Sequence, residues 1–244
     1  MSLSVASTVR GITTVTLDLP ERRNALSADL LGALAEAFGD LGEDPGTRAV
    51  LLTHTGTTFC AGADLKDPPD PAAFVALLRL LVELPKPVIA RVDGHVRAGG
   101  LGLLGACDMA VAGPGSSFAF TEVRIGVAPA VISMPLLPRV DPSAASRYFL
   151  TGERFDGAEA ARIGLVTAYA AEPDGMVQTL LDGVRAAAPG ALAETKKLLT
   201  ARVLDAFDDH SDALTALSAR LFGSAEAREG MAAFLERRER PWAL

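Results

Sequence analysis

Residues 88–112, VIARVDGHVRAGGLGLLGACDMAVA, change character three times. An apolar run ends at Asp93-Gly94, a small-residue segment extends from Ala98 to Ala106, and a second apolar run passes through Met109 to Ala112. This pattern predicts strand, helix, strand. Gly99 and Gly100 fall on the first turn of the helix, where backbone N–H groups lack intrahelical acceptors and a missing side chain lets another group approach. A helix start of this kind favours negative charge. The competing explanation is that small residues only let the helix pack tightly on a sheet.

Working outward, Phe59-Cys60-Ala61-Gly62-Ala63-Asp64-Leu65-Lys66 follows the strand-like run Ala49 to His54. Further motifs are Arg23-Asn24-Ala25-Leu26, Glu122 to Pro129, Ile163-Gly164-Leu165-Val166, and Glu229-Gly230 through Phe234. Together with Val92-Asp93-Gly94 and Cys107-Asp108, and in this order, they make the chain resemble the crotonase superfamily, also called the enoyl-CoA hydratase/isomerase family. The resemblance spans nearly the whole chain. It implies an α/β fold, a spiral of ββα units over residues 1–171 carrying an acyl-CoA site. Residues 172–244 would form a helical region for oligomerisation and pocket cover, commonly in a homotrimer or hexamer. The substrate would be an acyl-CoA thioester. No metal or redox cofactor is implied, since coenzyme A arrives as part of the substrate.

Composition agrees with a globular enzyme. The 244 residues are 49% hydrophobic and 22% charged, enough to bury one full core. A net charge of −7 argues against nonspecific nucleic-acid binding and against an anionic membrane surface, so any anionic ligand needs a local basic patch. Cys60 and Cys107 sit in apolar stretches and make no metal-ligand spacing with His54, His95 and His210, which reads as reduced core thiols. The N-terminus lacks a basic segment followed by an apolar one, and no apolar run is long enough to span a membrane. The expected compartment is the cytoplasm.

Along the chain, Leu3 to Val9 and Ile12 to Leu19 predict a hairpin turning at Arg10-Gly11. Ser27 reads as the N-cap of a helix burying Leu30, Leu31, Leu34 and Phe38, and Asp156 to Glu159 as a capping box. A proline-rich loop, Asp67 to Pro71, precedes a helix over Ala72 to Leu84, and Val166 to Ala170 predicts a last strand. From Glu172 onward the pattern is helical, with breaks expected at Pro189-Gly190, near Asp208 and at Gly223-Ser224.

The chemistry follows from the thioester. When its α-carbon loses a proton the carbonyl oxygen becomes negative, and two fixed N–H donors stabilise that state most where the charge is greatest. The resemblance implies that the donors are the backbone N–H groups of Ala63 and Gly99. It places Arg23, Ala25, Ala61, Asp64, Leu65, Lys66 and Gly100 along the substrate, with Arg22, Arg23 and Lys66 able to meet phosphates. Lys196 and Lys197 are weaker candidates. Hydratases of this family use two glutamates; here the second matches Glu122, whereas the first position is Gly102. One carboxylate can take an α-proton and return it at the γ-carbon, which favours isomerisation over efficient hydration. The structural alternative for Glu122 is a cap or a pair with Arg124 or Arg139. Restoring a glutamate at Gly102 is expected to cost little, because glycine is a poor helix former. His95 reads as structural. Two rival functions are an idle acyl-CoA-binding protein and a thioester hydrolase using Ser116 or Ser117, for which no His/Asp partner is evident in sequence.

Overall fold

The computed structural model describes residues 2–243. Arg10 and Gly11 adopt φ of 51° and 80°, the left-handed pair that a tight hairpin turn requires, and Gly11 supplies one of them without strain. The turn joins β1 (Leu3–Val5) to β2 (Ile12–Leu17) in antiparallel register, Leu3 opposite Leu17. The first strand is shorter than the β-rich run, which continues only as an isolated bridge between Val9 and Ile12.

After the hairpin the chain repeats a strand–strand–helix unit. The first unit is β3 (Ala49–His54), β4 (Thr58–Cys60) and α2 (Pro71–Glu83), preceded by α1 (Ala28–Glu43). The second is β5 (Val88–Val92), β6 (His95–Arg97) and α3 (Gly99–Gly105). The third is β7 (Met109–Ala112), β8 (Ser117–Ala119) and the helices α4 (Ser133–Leu136) and α5 (Pro142–Thr151). Two short strands, β9 (Phe155–Asp156) and β10 (Ala168–Tyr169), flank α6 (Gly157–Arg162). In each unit the first strand joins a six-stranded sheet, β1-β2-β3-β5-β7-β10, and the second joins a four-stranded sheet, β4-β6-β8-β9. The strands within these units pair in parallel, so the chain advances by one strand in both sheets per turn, which is the expected ββα spiral.

Strand β6 was not expected, because Asp93-Gly94 reads as the end of a strand. It forms because Gly94 sits where a Cβ would lie 2.7 Å from Thr57 O, so the backbone can close on the preceding unit and His95 N can donate to Thr57 O at 3.0 Å. Three residues are too few for alternation to be read.

The main core fills the space between the two sheets and α1, α2 and α3. The large sheet's other face is covered by α7 (Pro173–Ala186), through Val177, Leu181 and Val184 against Ile12, Ala49, Ile89 and Val111. Helix α8 (Pro189–Phe222) reaches back into the main core with Val203 and Phe207. It runs without the break expected near Asp208. Phe207 is fully buried while Asp208 faces out and accepts from Arg79 of α2, so the acidic residues lie on the solvent side of a continuous helix. Helix α9 (Ala225–Glu236) is capped by Ser224, whose hydroxyl accepts from Ala227 N. It packs through a separate small cluster of Ile125, Val127 and Ala227 flanked by Leu65 and Met231. Among the described residues no helix is long and apolar enough to cross a membrane.

One buried polar side chain fixes the loop ahead of α1. Asn24 is fully buried at φ 50°; its Oδ1 accepts from Leu19 N at 2.8 Å and its Nδ2 donates to Thr58 O at 2.8 Å and Thr55 O at 3.2 Å. Asparagine tolerates the left-handed region better than most residues and carries both donor and acceptor. Asn24→Ala leaves these backbone groups unpaired and is expected to cost at least about 2 kcal/mol in urea unfolding. A loss under about 0.5 kcal/mol would show that Asn24 does not hold the loop.

Candidate active site

The loop held by Asn24 runs beside the Ala61–Lys66 segment and is stitched to it. Ala61 N donates to Arg23 O at 3.1 Å, Leu26 N to Gly62 O at 2.8 Å, and Asp64 N to Leu26 O at 2.9 Å. Leu26 and Ala63 thus form a parallel bridge in which the groups on either side of Ala63 N are used. Among the described residues Ala63 N–H donates to no protein acceptor.

The same loop presses on the entrance to α3. Gly62 has φ 89°, and a Cβ there would lie 2.9 Å from the Ala98 Cβ and 3.4 Å from Gly99 N. Ala98 itself takes φ 48°, ψ −122°, a conformation alanine rarely adopts and one that costs on the order of 1–3 kcal/mol. This sharp turn sets the direction of the next peptide. Gly99 N–H, first in the helix, also has no protein acceptor among the described residues. Two unpaired N–H groups therefore lie on adjoining segments, fixed by backbone contacts.

The glycines behind them serve different ends. A Cβ on Gly100 would meet Cys60 O at 2.8 Å, so this glycine lets α3 seat on β4; the tight-packing explanation holds here, not ligand approach. A Cβ on Gly102 would meet Ile132 Cγ2 at 2.5 Å, with Phe74 Cζ at 3.4 Å. The Ile132 side chain thus occupies the place where a residue-102 side chain would begin. Gly102→Glu is accordingly not the inexpensive change that helix propensity alone suggests: overpacking outweighs propensity.

Glu122 begins a 3-10 turn, Glu122–Ile125, that ends at Gly126 with φ 79°. It is 7% exposed, and its Oε2 is buried with no hydrogen-bond partner. Burial pushes its carboxyl up to about 7, opposed only by its own backbone N–H. The structural alternatives fail, because Arg124 Nε donates to Thr151 O and Arg139 Nη1 to Cys107 O. From Glu122 the chain continues to Ile132, which precedes α4 and packs against Gly102 of α3, so one segment carries both the carboxylate and the plug at Gly102.

The remaining sequence candidates separate cleanly. Ala25, Ala61, Asp64 and Leu65 are half-buried along the stitched loops, and Asp64 Oδ1 accepts from Lys66 N at 3.0 Å. Arg22, Arg23 and Lys66 are exposed, and among the described residues none is in an ion pair. Lys196 is structural: 5% exposed, it pairs with Asp108 at 2.8 Å and donates to Leu81 O. Asp108 in turn accepts from Val88 N, and Lys197 pairs with Glu194 on the surface. His95 Nδ1 does lie 2.9 Å from Ser117 Oγ, but desolvation first, and then Arg97 and Arg154, disfavour a charged imidazole, and no carboxylate stands behind it. Ser116 Oγ is committed to Val92 O. Neither serine has a complete triad. Two cavities, of about 340 and 420 Å³, are lined by Cys107, Arg139 and Thr167 and by Ser117, Arg154 and Glu159 respectively; neither contains Ala63, Gly99 or Glu122.

Asn24, Ala98 and Ile132 were not singled out by sequence reasoning. Asn24 carries a signal, an asparagine in a polar loop ahead of an N-cap. Ala98 and Ile132 carry none, since strain and volume exchange appear only when segments meet.

Fold and site together place the chain among the α/β spirals of the crotonase class. It belongs to the enoyl-CoA hydratase/isomerase family, which it matches over residues 7–243. It is similar to the carnitinyl-CoA dehydratase of Proteus mirabilis, 31% identical over 99% of both chains. It is also similar to the enoyl-CoA hydratase EchA19 of Mycobacterium tuberculosis, 33% identical over 92% of this chain and 90% of that one. The crystal structure of an enoyl-CoA hydratase from Mycobacterium avium superposes with a TM-score of 0.93 at 49% identity, covering 99% of this chain and 98% of that chain.

The Gly102–Ile132 contact is testable by a double-mutant cycle. Gly102→Glu alone is expected to destabilise by roughly 1–3 kcal/mol in urea unfolding, and Gly102→Glu with Ile132→Ala to cost at least about 1 kcal/mol less than the two single changes added. Simple additivity would show that Ile132 does not fill that place.

Proposed function

We propose that this protein is an acyl-CoA enzyme that shifts a double bond along the acyl chain in preference to adding water across it. The carrying observation is Glu122, which is buried with its Oε2 unpartnered; the resemblance puts the second glutamate of hydratases at Gly102, which here packs beneath Ile132. In this reading the thioester oxygen accepts from Ala63 N–H and Gly99 N–H. Glu122, ionised, takes a proton from the α-carbon of a 3-enoyl thioester, and the electron pair moves onto the carbonyl oxygen as a dienolate. The protonated Glu122 then returns that proton to the γ-carbon, leaving the 2-enoyl thioester. A carboxyl near 7 is matched to both halves, since it is basic enough to take the proton and acidic enough to give it back. Each backbone donor contributes on the order of 3 kcal/mol in comparable oxyanion sites. Hydration needs a water held from two sides, and an isoleucine offers no second base.

Arg22, Arg23 and Lys66 would meet the coenzyme A phosphates, and Ala25, Ala61, Asp64 and Leu65 would follow its arm, with Gly100 behind the donor at Gly99. The reading calls for no resident cofactor. It places the enzyme in fatty-acid or related acyl-CoA metabolism in the cytoplasm, in keeping with two unpaired buried thiols. Residues 1–171 would carry the site, and 172–244 the oligomer contacts and pocket cover. Supporting an oligomer, α8 presents adjacent Leu198 and Leu199 at 80% and 74% exposure, an apolar surface that a trimer or hexamer would cover.

Two experiments test this. Mass spectrometry of products from 2-enoyl and 3-enoyl thioesters should show isomerisation that rises with pH through about 7 as Glu122 ionises. Glu122→Gln should cut it by roughly 10²–10⁴ with thioester binding retained, and Ala63→Pro, which lacks the N–H, by at least about 10². Ordinary hydratase rates with no isomerisation, or full activity in Glu122→Gln, would overturn the mechanism. Light scattering should give a trimer or hexamer; a stable 25.3 kDa monomer at micromolar concentration would overturn the oligomer.

A further inference from the structure

Two glycines lie where α9 meets the Glu122 turn, each against the other element's backbone. A Cβ on Gly230 of α9 would lie 2.5 Å from Ile125 C and O, and a Cβ on Gly126 would lie 2.6 Å from Glu226 C. The two elements therefore touch backbone to backbone, and each contact requires that the glycine making it has no side chain. Around this contact stands the small cluster of Ile125, Val127 and Ala227, with Leu65 of the donor loop and Met231 against it. It is separate from the main core. Helix α9 is thus seated by its own small set of contacts, on the turn that carries Glu122 and on the segment that carries Ala63.

We infer that α9 acts as a positioning clamp, with Gly126 and Gly230 as its seat, and that its docking is what keeps water from the Glu122 carboxylate. Gly126 and Gly230 are positioning residues: neither touches the reacting atoms. The inference extends the proposed function by naming what sets the state of its acid/base, and it rests on that reading only for its catalytic consequence. Charge does not offer a competing cause. On the same turn Arg124 is committed to Thr151 O; on α5 Arg147 pairs with Glu153 and the Tyr148 hydroxyl donates to Glu159. On α9 Glu229 pairs with Arg238 and Arg228 donates to Gly223 O; Asp64 takes Lys66 N, and neither Glu226 nor Lys66 forms an ion pair. Desolvation is the first cause of the raised carboxyl. Whatever moves α9 away should therefore let water in and return Glu122 towards an ordinary carboxylate.

Gly230→Ala provides the test, because alanine is the better helix former and any loss reports the contact rather than the helix. Protein labelled with ¹³C at glutamate carboxyls is titrated by NMR, with Glu122 assigned by its absence in Glu122→Gln. Wild type should titrate near 7, and Gly230→Ala should shift at least about one unit towards the ordinary 4.5, with kcat on a 3-enoyl thioester falling more than KM rises. Met231→Ala, which trims the same seat without a backbone clash, should move the midpoint in the same direction and covers the case in which Gly230→Ala does not fold. A wild-type midpoint already near 4.5, or one unmoved in a folded variant, overturns the clamp. Because the titration needs no turnover, a shifted midpoint beside a fully active Glu122→Gln would leave the clamp standing and remove only the catalytic role of Glu122.

Discussion

The proposed site depends on two backbone N–H groups, those of Ala63 and Gly99, that have no protein acceptor among the described residues. A side-chain donor can be placed by one rotamer, but a backbone donor is placed only by fixing the chain on both sides of it. Here that work is divided. Asn24 ties the loop ahead of α1 to the Thr55–Thr58 turn, that loop ties down Gly62 and Asp64 around Ala63, and Gly62 rests on Ala98 beside Gly99. Unpaired N–H groups and a strained Ala98 are each unfavourable by about 1–3 kcal/mol, and they persist because the spiral over-determines them. The ββα repeat supplies the arrangement directly: Ala63 follows the small-sheet strand of one unit, Gly99 follows the small-sheet strand of the next, and those strands are parallel neighbours.

The carboxylate follows the opposite logic, being placed by one turn and then buried with its Oε2 left without a partner. Its raised value makes it a cost to folding at neutral pH. Taking 4.5 as the unfolded reference and about 7 in the fold, the native state holds the proton more tightly between those values. The favourable contribution of the neutral acid is full below pH 4.5 and is lost as pH rises through about 7, a change on the order of 3 kcal/mol. A group held against folding in this way, near two N–H groups without acceptors, suits the acid–base role proposed for it.

Much of this was legible in the sequence wherever local chemistry decides the outcome. The Arg10-Gly11 turn, the Ser27 and Asp156 caps and the buried Ala49–His54 strand need only their own residues and immediate neighbours. Order of motifs, not any single one, gave the spiral. What stayed hidden depends on partners distant in sequence. Strand β6 exists because Gly94 can approach Thr57, α8 continues past Asp208 because Phe207 has a core to enter, and Gly100 is glycine because Cys60 lies beneath it. The periodicity of a helix tells which face is buried, but not which atom of another segment waits there.

Gly102 shows the same limit at the point where it matters most for function. Read alone, a glycine in the place of an acid is a deletion, a pocket with something missing that substitution could restore. In the fold that place is not empty, because an isoleucine thirty residues later packs where a residue-102 side chain would begin. Interiors are packed to the density of organic crystals, so a lost side chain in a core helix is replaced by a neighbour's rather than by space. This wall is consequently written in two segments: Ile132 bars a larger residue at 102, and Gly102 gives Ile132 its room. Because Glu122 heads the segment that ends in Ile132, the acid/base proposed here and the side chain packed against Gly102 are set by the same stretch of chain.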